Sequence, residues 1–154
     1  MQKSGIGNKS DLRFLLDKIK GLIFVSNCDI IIDCDFQEII HFHKSNNYDM
    51  TIVGSFRHFT IPYGICHIED GGRLVKIDEK PEYDFLVNTG MYLMDKGVFK
   101  YIPKNEFFDI PDLVKKIHRE GGKIGVFPIN EKAWIDVGQW EEYHRALKLL
   151  GING

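Results

Sequence analysis

The pattern of apolar and polar positions divides the chain into short apolar runs and amphipathic segments. The run "LIFVSN", residues 22–27, predicts a buried strand. The following segment, "FQEIIHFHKSN", predicts a helix that begins at Asp35, because Asp35 followed three residues later by Glu38 resembles a capping box. A second helix is predicted in "DIPDLVKKIHREGG", with Asp109 at its start and Gly121 after its end. The chain therefore alternates between strand and helix.

The remaining segments continue this alternation. Strands are predicted in "YDMTIVGS", "RLVKIDEK", "FLVNTGMYLM" and "KIGVFPIN". A final helix is predicted in "QWEEYHRALKLLG", because its apolar side chains share one helical face: Trp140, Tyr143, Leu147 and Leu150. Strands that alternate with helices indicate an α/β fold, with a mixed, mainly parallel sheet and flanking helices. We expect residues 1–154 to form a single domain.

Composition narrows the class of protein. With 154 residues, of which 44% are hydrophobic, the chain can bury one core. A formal net charge of -2, with both signs mixed throughout, offers no basic face for a nucleic-acid polymer or a membrane. No apolar run approaches the roughly 18 residues of a membrane span, and no signal-peptide pattern opens the chain, so we expect a cytoplasmic protein. Cys28, Cys34 and Cys66 lack zinc-ligand spacing and are expected to be reduced.

Carboxylates follow the predicted strand of residues 22–27. Asp33 and Asp35 suit the ordinary roles of turn formers or helix caps. Asp29 suits those roles less well, because an apolar run rather than a helix follows it. In "AWIDVGQWEEYHRA", Asp136 also ends a short apolar run, although, taken alone, it is better interpreted as the start of the last helix. Asp29 and Asp136 could together hold one Mg²⁺, with water and phosphate oxygens as the remaining ligands.

Four motifs, in order and at characteristic spacing, carry a family resemblance. They are "FVSNCDII", "YGICHIEDGGRLVKIDEKP", "LVNTGMYLMD" and "AWIDVGQWEEYHRA". Across roughly residues 20–148 the chain resembles the C-terminal two-thirds of the sugar-1-phosphate nucleotidyltransferases, or NDP-sugar pyrophosphorylases. The resemblance implies the nucleotide-diphospho-sugar transferase fold, which is Rossmann-like. It also implies an enzyme that joins an NTP and a sugar-1-phosphate to give an NDP-sugar and pyrophosphate.

The resemblance assigns roles to particular residues. Asp29 and Asp136 would be catalytic carboxylates that bind Mg²⁺, and Lys80 would be a catalytic residue that neutralises the sugar phosphate. Glu79 would hold sugar hydroxyls. The other substrate-binding positions implied by the motifs are Gly64, Asn88, Thr89 and Gly90. These residue types suit the reaction, because two anions must be brought together and a metal and a lysine offset their repulsion.

The nucleotide-binding signature of the family is missing from the sequence. Its Gly-x-Gly-Thr-Arg-Leu pattern does not occur, and "KSGIGNKSD" does not substitute for it. We therefore expect an N-terminally incomplete copy of the fold that needs a nucleotide-binding half for turnover. The strand in residues 20–27 would then expose one edge, so we expect a homo-oligomer or a partner chain to cover it.

Two alternatives compete with this interpretation. "DCD" matches an Asp-x-Asp motif, which predicts a metal-dependent nucleotide-sugar glycosyltransferase that uses Asp33 and Asp35. The other alternative is a non-catalytic module that binds a sugar phosphate or a partner, which predicts ligand binding without turnover.

Overall fold

The computed structural model describes residues 20–103 and 108–138. This part of the chain contains eight strands, two α-helices and three short 3-10 segments. The strands are β1 (Leu22–Ser26), β2 (Ile30–Ile32), β3 (Met50–Thr60), β4 (Ile65–Ile68), β5 (Leu74–Asp78), β6 (Glu82–Asp95), β7 (Ile124–Ile129) and β8 (Trp134–Asp136). The helices are α1 (Phe36–Ser45) and α2 (Ile110–Arg119), and the 3-10 segments are Asp70–Gly72, Lys96–Tyr101 and Glu131–Ala133.

A four-stranded mixed sheet forms the centre of the fold, with the order β1-β6-β3-β7. The mixed α/β character predicted from the sequence is confirmed. The expected predominance of parallel pairs is corrected for the described strands: β3 pairs in parallel with β7, whereas β6 is antiparallel to both β1 and β3. The reason is that the chain reverses between β3 and β6 through the β4–β5 hairpin, so those two long strands run in opposite directions.

The two helices cover opposite faces of this sheet, because successive residues of β6 point to opposite sides. On one side, Leu113 and Ile117 of α2 pack with Tyr92 and Met94. On the other, Ile39 of α1 packs in a cluster that includes Val53, Met91, Leu93 and Ile129. The sheet therefore has a hydrophobic core on each face.

The predicted helix starts are confirmed by their caps. Asp35 accepts a hydrogen bond from the backbone N–H of Gln37 at 2.8 Å, and Asp109 accepts one from Asp112 at 2.9 Å. Gly121, with φ of 79°, follows α2 as expected. The helix predicted from Gln139 onward lies outside the described residues.

Two small sheets extend from the main one. β2 pairs with β8, and β4 pairs with β5, both in antiparallel fashion. β5 and the strand-then-acid form of β8 were predicted from the sequence, whereas β4 was not predicted as a strand. Within the described residues, no helix has both the length and the apolar character that crossing a membrane requires.

Candidate functional site

The two predicted metal ligands lie beside each other on the small β2–β8 sheet. Asp29 occupies the tight turn between β1 and β2, and Asp136 is the last residue of β8. Ile30 is directly paired with Asp136, and the N–H of Val137 donates to the carbonyl oxygen of Asp29 at 2.9 Å. Strand pairing therefore brings together two acids that are far apart in the sequence.

Gly138 leaves a gap that both carboxylates face. A Cβ added to Gly138 would lie 3.1 Å from Oδ2 of Asp29 and 3.1 Å from Oδ1 of Asp136. Because both oxygens lie that close to one point, they are no more than about 6 Å apart. The backbone N–H of Gly138 also donates to Oδ1 of Asp136 at 3.0 Å, which helps to orient this carboxylate. Two carboxylate oxygens that lie this close together suit a hard divalent cation such as Mg²⁺.

The described residues supply few ligands to this gap. No group of three His, Cys, Asp or Glu side chains suited to a metal occurs in residues 20–103 and 108–138. Mg²⁺ commonly binds through one or two carboxylates and completes its six ligands with water and phosphate oxygens. Two carboxylates therefore match the number that a phosphate-binding magnesium site uses.

The acids of the Asp-x-Asp motif have other positions. The carboxylate of Asp35 caps α1 through the N–H of Gln37. The backbone N–H of Asp33 donates to the carbonyl of Ala133 at 2.9 Å, which extends the pairing of β2 with β8. The described geometry therefore brings Asp29, rather than Asp33 or Asp35, to Asp136.

The segment Asn88-Thr89-Gly90 forms a bulge in β6. Ile52 pairs with Tyr92 and Gly54 pairs with Asn88, so Val53 alone faces three residues of β6. The hydroxyl of Thr89 donates to the carbonyl of Val53 at 2.8 Å and accepts from the N–H of Met91 at 3.3 Å. It thereby replaces ladder hydrogen bonds that the bulge interrupts.

This arrangement gives Thr89 a structural role inside the sheet. Thr89 is only 2% exposed, and both hydrogen bonds of its hydroxyl are made with the backbone of β3 and β6. The contact with substrate that the family resemblance implies for Thr89 stays a prediction. The observed role, stabilisation of the bulge, was not foreseen from the sequence.

Asn88 and Gly90 shape the same bulge. Oδ1 of Asn88 accepts from the N–H of Gly90 at 3.0 Å, and its Nδ2 donates to the hydroxyl of Tyr92 at 2.7 Å. Burial raises the pKa of Tyr92, and the hydrogen bond from Asn88 partly offsets that effect. Gly90 has φ of 88°, a conformation that favours glycine. The amide of Asn88 is thus held in a fixed orientation.

Asn27 contacts this bulge from the end of β1, a role that was not predicted from the sequence. Its N–H donates to the carbonyl of Gly90 at 3.0 Å. Its side chain fills the space beside Gly90, because a Cβ added there would lie 2.5 Å from Nδ2 of Asn27. The position of Asn27 two residues before Asp29 was the available signal.

Glu79 and Lys80 lie at the far end of the β3–β6 ribbon. Both follow the end of β5 at Asp78, which confirms the expectation that at least one of them lies beyond a strand. A Cβ added to Gly64 would lie 2.9 Å from Oε2 of Glu79, so Gly64 allows this carboxylate to approach the backbone. Lys80 has φ of 46°, an uncommon conformation for a residue other than Gly, Asn or Asp.

Electrostatic pairs link side chains within the hairpin that leads to Glu79. Lys76 forms an ion pair with Asp78, and Nε2 of His67 lies 2.8 Å from Oδ2 of the same carboxylate. Hydrogen bonds from Lys76 and then from His67 are the main causes that lower the pKa of Asp78. The acid that directly precedes Glu79 therefore has partners within the hairpin.

The predicted sugar-binding residues fall into two groups along β6. Asn88 and Gly90 lie beside the end of β1, whereas Gly64, Glu79 and Lys80 lie near Glu82, where β6 begins. The stretch of β6 from Glu82 to Asn88 has an extended length of about 20 Å. A role for both groups in binding one sugar phosphate therefore stays a prediction.

Together the fold and the site define a class of protein: an α/β domain with paired carboxylates on adjacent strand ends. The model of the nucleotidyl transferase family matches residues 10–151. The chain therefore belongs to this family, as the motifs predicted.

Two curated relatives illustrate the match. A UTP–glucose-1-phosphate uridylyltransferase of Synechocystis sp. is 28% identical over 138 residues, which cover 81% of this chain and 34% of the relative. A putative mannose-1-phosphate guanyltransferase of Sulfolobus acidocaldarius is 27% identical over 158 residues, covering 99% of this chain and 43% of the relative. The chain thus spans less than half the length of these relatives.

Solved structures show the same fold. HddC from Yersinia pseudotuberculosis matches with a TM-score of 0.64 and 20% identity, over 97% of this chain and 64% of that chain. A putative glucose-1-phosphate thymidylyltransferase from Bacillus anthracis matches with a TM-score of 0.59 and 20% identity. The match covers 96% of this chain and 62% of the Bacillus chain. The nucleotide-diphospho-sugar transferase fold expected from the sequence is confirmed.

Proposed function

We propose that this chain forms the metal-binding and sugar-phosphate-binding part of a sugar-1-phosphate nucleotidyltransferase. The reaction joins an NTP and a sugar-1-phosphate to give an NDP-sugar and pyrophosphate. The observation that carries the proposal is the convergence of the Asp29 and Asp136 carboxylates on the gap at Gly138. The names of the relatives support the reaction, because they share a sugar-1-phosphate substrate.

Asp29 and Asp136 would hold Mg²⁺ in this proposal. A bound divalent cation offsets the charge of the phosphate groups that the reaction brings together. The two carboxylates orient toward one space because β2 and β8 pair beside it and the backbone of Gly138 fixes Asp136. The Asp-x-Asp alternative, a glycosyltransferase, receives no support from the family match.

Glu79 and Lys80 would bind the sugar phosphate. Carboxylate oxygens accept hydrogen bonds from sugar hydroxyls, and an ammonium group makes charge-assisted hydrogen bonds to phosphate. Gly64 supports the role of Glu79, because a side chain at this position would crowd the carboxylate. Lys80 is exposed and lies after the end of β5, so its backbone takes no part in the pairing of that strand.

A second chain is proposed to pair with β1. Among the described strands, β1 lies at one end of the main sheet, so it offers an edge for a second copy or for a chain that supplies the nucleotide-binding half. The cytoplasmic location expected from the sequence belongs to the proposal as well.

Titration with glucose-1-phosphate and mannose-1-phosphate, each with and without Mg²⁺, tests the proposed function by calorimetry. We expect binding that requires Mg²⁺ and that Lys80→Ala weakens by about 1.5 to 3 kcal/mol, the cost of a lost charge-assisted contact. Lys76→Ala is the matched control, because it removes the same charge from the same hairpin and should leave the affinity almost unchanged. The proposal fails if neither ligand binds, or if both variants bind as the parent does.

A further inference from the structure

The turn that carries Asp29 is held at both ends. On one side, the backbone of Asn27 bonds to Gly90 of the β6 bulge at 3.0 Å. On the other, the carbonyl of Asp29 accepts from Val137 at 2.9 Å. Residues 28 and 29 form the turn between these two attachments. The position of the Asp29 carboxylate therefore depends on how β1 ends against β6.

The side chain of Asn27 fixes that end of β1 by filling space. Its Cβ, Cγ and Nδ2 atoms would all lie within 3.4 Å of a Cβ added to Gly90. Gly90 can present this bare surface because it has no side chain and adopts φ of 88°. The contact is thus a close fit between one amide side chain and one glycine.

Hydrogen bonds within the bulge hold Gly90 in place for this contact. The hydroxyl of Thr89 closes the bulge against Val53, and Oδ1 of Asn88 accepts from the N–H of Gly90 itself. A displacement of Asn27 would therefore move the turn rather than the bulge. Asn27 is an exposed residue, so its side chain contributes little to the core.

We infer that Asn27 is a positioning residue for the metal site: by packing against Gly90, it sets where the Asp29 carboxylate lies relative to Asp136. This inference rests on the proposed function, because it takes the Asp29–Asp136 gap as the cation site. Residues that orient metal ligands typically change metal affinity by about 10- to 100-fold when they are replaced. Asn27 should act on metal affinity and hardly on thermal stability.

The experiment measures Mn²⁺ affinity by electron paramagnetic resonance and thermal unfolding on the same samples of the full chain. Asn27→Ala should weaken Mn²⁺ binding by about tenfold or more while the unfolding midpoint stays close to that of the parent. Asn27→Leu keeps the volume of the side chain without its amide, so it should restore most of the affinity. An affinity of Asn27→Ala equal to that of the parent would overturn the inference, and so would a loss that only follows a lower unfolding midpoint.

A reciprocal change tests the contact itself. Gly90→Ala places a methyl group where Asn27 lies, so it should reduce Mn²⁺ affinity strongly in the parent and less in the Asn27→Ala background. The backbone strain at positive φ is present in both backgrounds and cancels in the comparison. Equal losses in the two backgrounds would contradict the inference.

Three acid variants separate this inference from the proposed function. Asp29→Asn and Asp136→Asn should each weaken Mn²⁺ binding, whereas Asp33→Asn should not. If the first two variants bind like the parent, the proposed metal site is wrong and the role of Asn27 falls with it. If they lose affinity and Asn27→Ala does not, the metal site stands and only the inference about Asn27 is wrong.

Discussion

At the scale of single residues, the acids near β1 show how position decides chemistry. Asp29, Asp33 and Asp35 are close in sequence, yet only Asp35 caps a helix and only Asp29 faces Asp136. A similar contrast separates His41, which is exposed, from His43, which is 2% exposed and has Nδ1 2.8 Å from the hydroxyl of Thr51. Identical residue types in one short segment therefore perform different tasks.

The buried imidazole of His43 predicts a pH dependence of stability. Burial lowers its pKa, and the nearby carboxylates of Asp95 and Asp49 oppose the shift only in part. The unfolded chain therefore binds the proton more readily than the folded chain. The contribution of neutral His43 is fully present above its unfolded pKa of about 6.5, and it is lost as the pH falls toward the lower folded pKa.

Thermal unfolding between about pH 7.5 and pH 5 measures this effect. The parent should lose stability on acidification, and His43→Gln should show a smaller loss because it has no titrating group at this position. His41→Gln is the matched control and should keep the pH dependence of the parent. The same pH dependence in all three proteins would rule out His43 as its source.

At the scale of secondary-structure elements, the sequence was sufficient to predict an element where a nearby side chain determines its boundary. Asp35 and Asp109 are visible in the sequence as caps, and α1 and α2 begin after them. β4 was missed because "ICHI" is a four-residue run between Gly64 and the "EDGG" turn. The antiparallel pairing of β6 was missed because the relative direction of two strands depends on which distant segments pair. The residues within one strand do not indicate it.

The candidate site was predictable to a similar extent. The motifs identified Asp29 and Asp136, and pairing of β2 with β8 brings them together. The hydroxyl of Thr89 could not be assigned from sequence, because its partner, the carbonyl of Val53, is exposed to it only by the register shift in β6. A bulge depends on how two strands pair, so its contacts cannot be predicted from the sequence of either strand alone.

The bulge predicts a difference between two small changes at Thr89. Thr89→Val removes the hydroxyl and leaves the carbonyl of Val53 and the N–H of Met91 without that partner, which should cost about 1 to 3 kcal/mol of unfolding free energy. Thr89→Ser keeps the hydroxyl and loses one buried methyl group, which should cost about 1 kcal/mol. Urea unfolding compares the two. A Val variant as stable as the parent would show that the hydroxyl does not stabilise the bulge.

At the scale of the whole molecule, the sheet has one edge formed by a short apolar strand. Within the described part of the chain, β1 pairs with β6 on one side, and the sheet order places no strand beyond it. Its sequence "LIFVS" contains no charge or proline to discourage pairing. Phe24 is 37% exposed and packs edge-on against Phe36, so part of this strand presents apolar surface.

The β3–β6 ribbon offers a second exposed apolar surface, which makes a controlled test of association possible. Sedimentation at several concentrations should show that the isolated chain associates, because a strand edge with unpaired backbone groups favours pairing with another chain. Phe24→Lys places a charge on β1 and should shift the chain toward monomer. Phe56→Lys makes the same change on the ribbon, where Phe56 is 53% exposed, and should leave association unchanged if β1 is the interface. A parent chain that stays monomeric at every concentration would defeat the prediction, and dissociation caused by Phe56→Lys alone would move the interface from β1 to the ribbon.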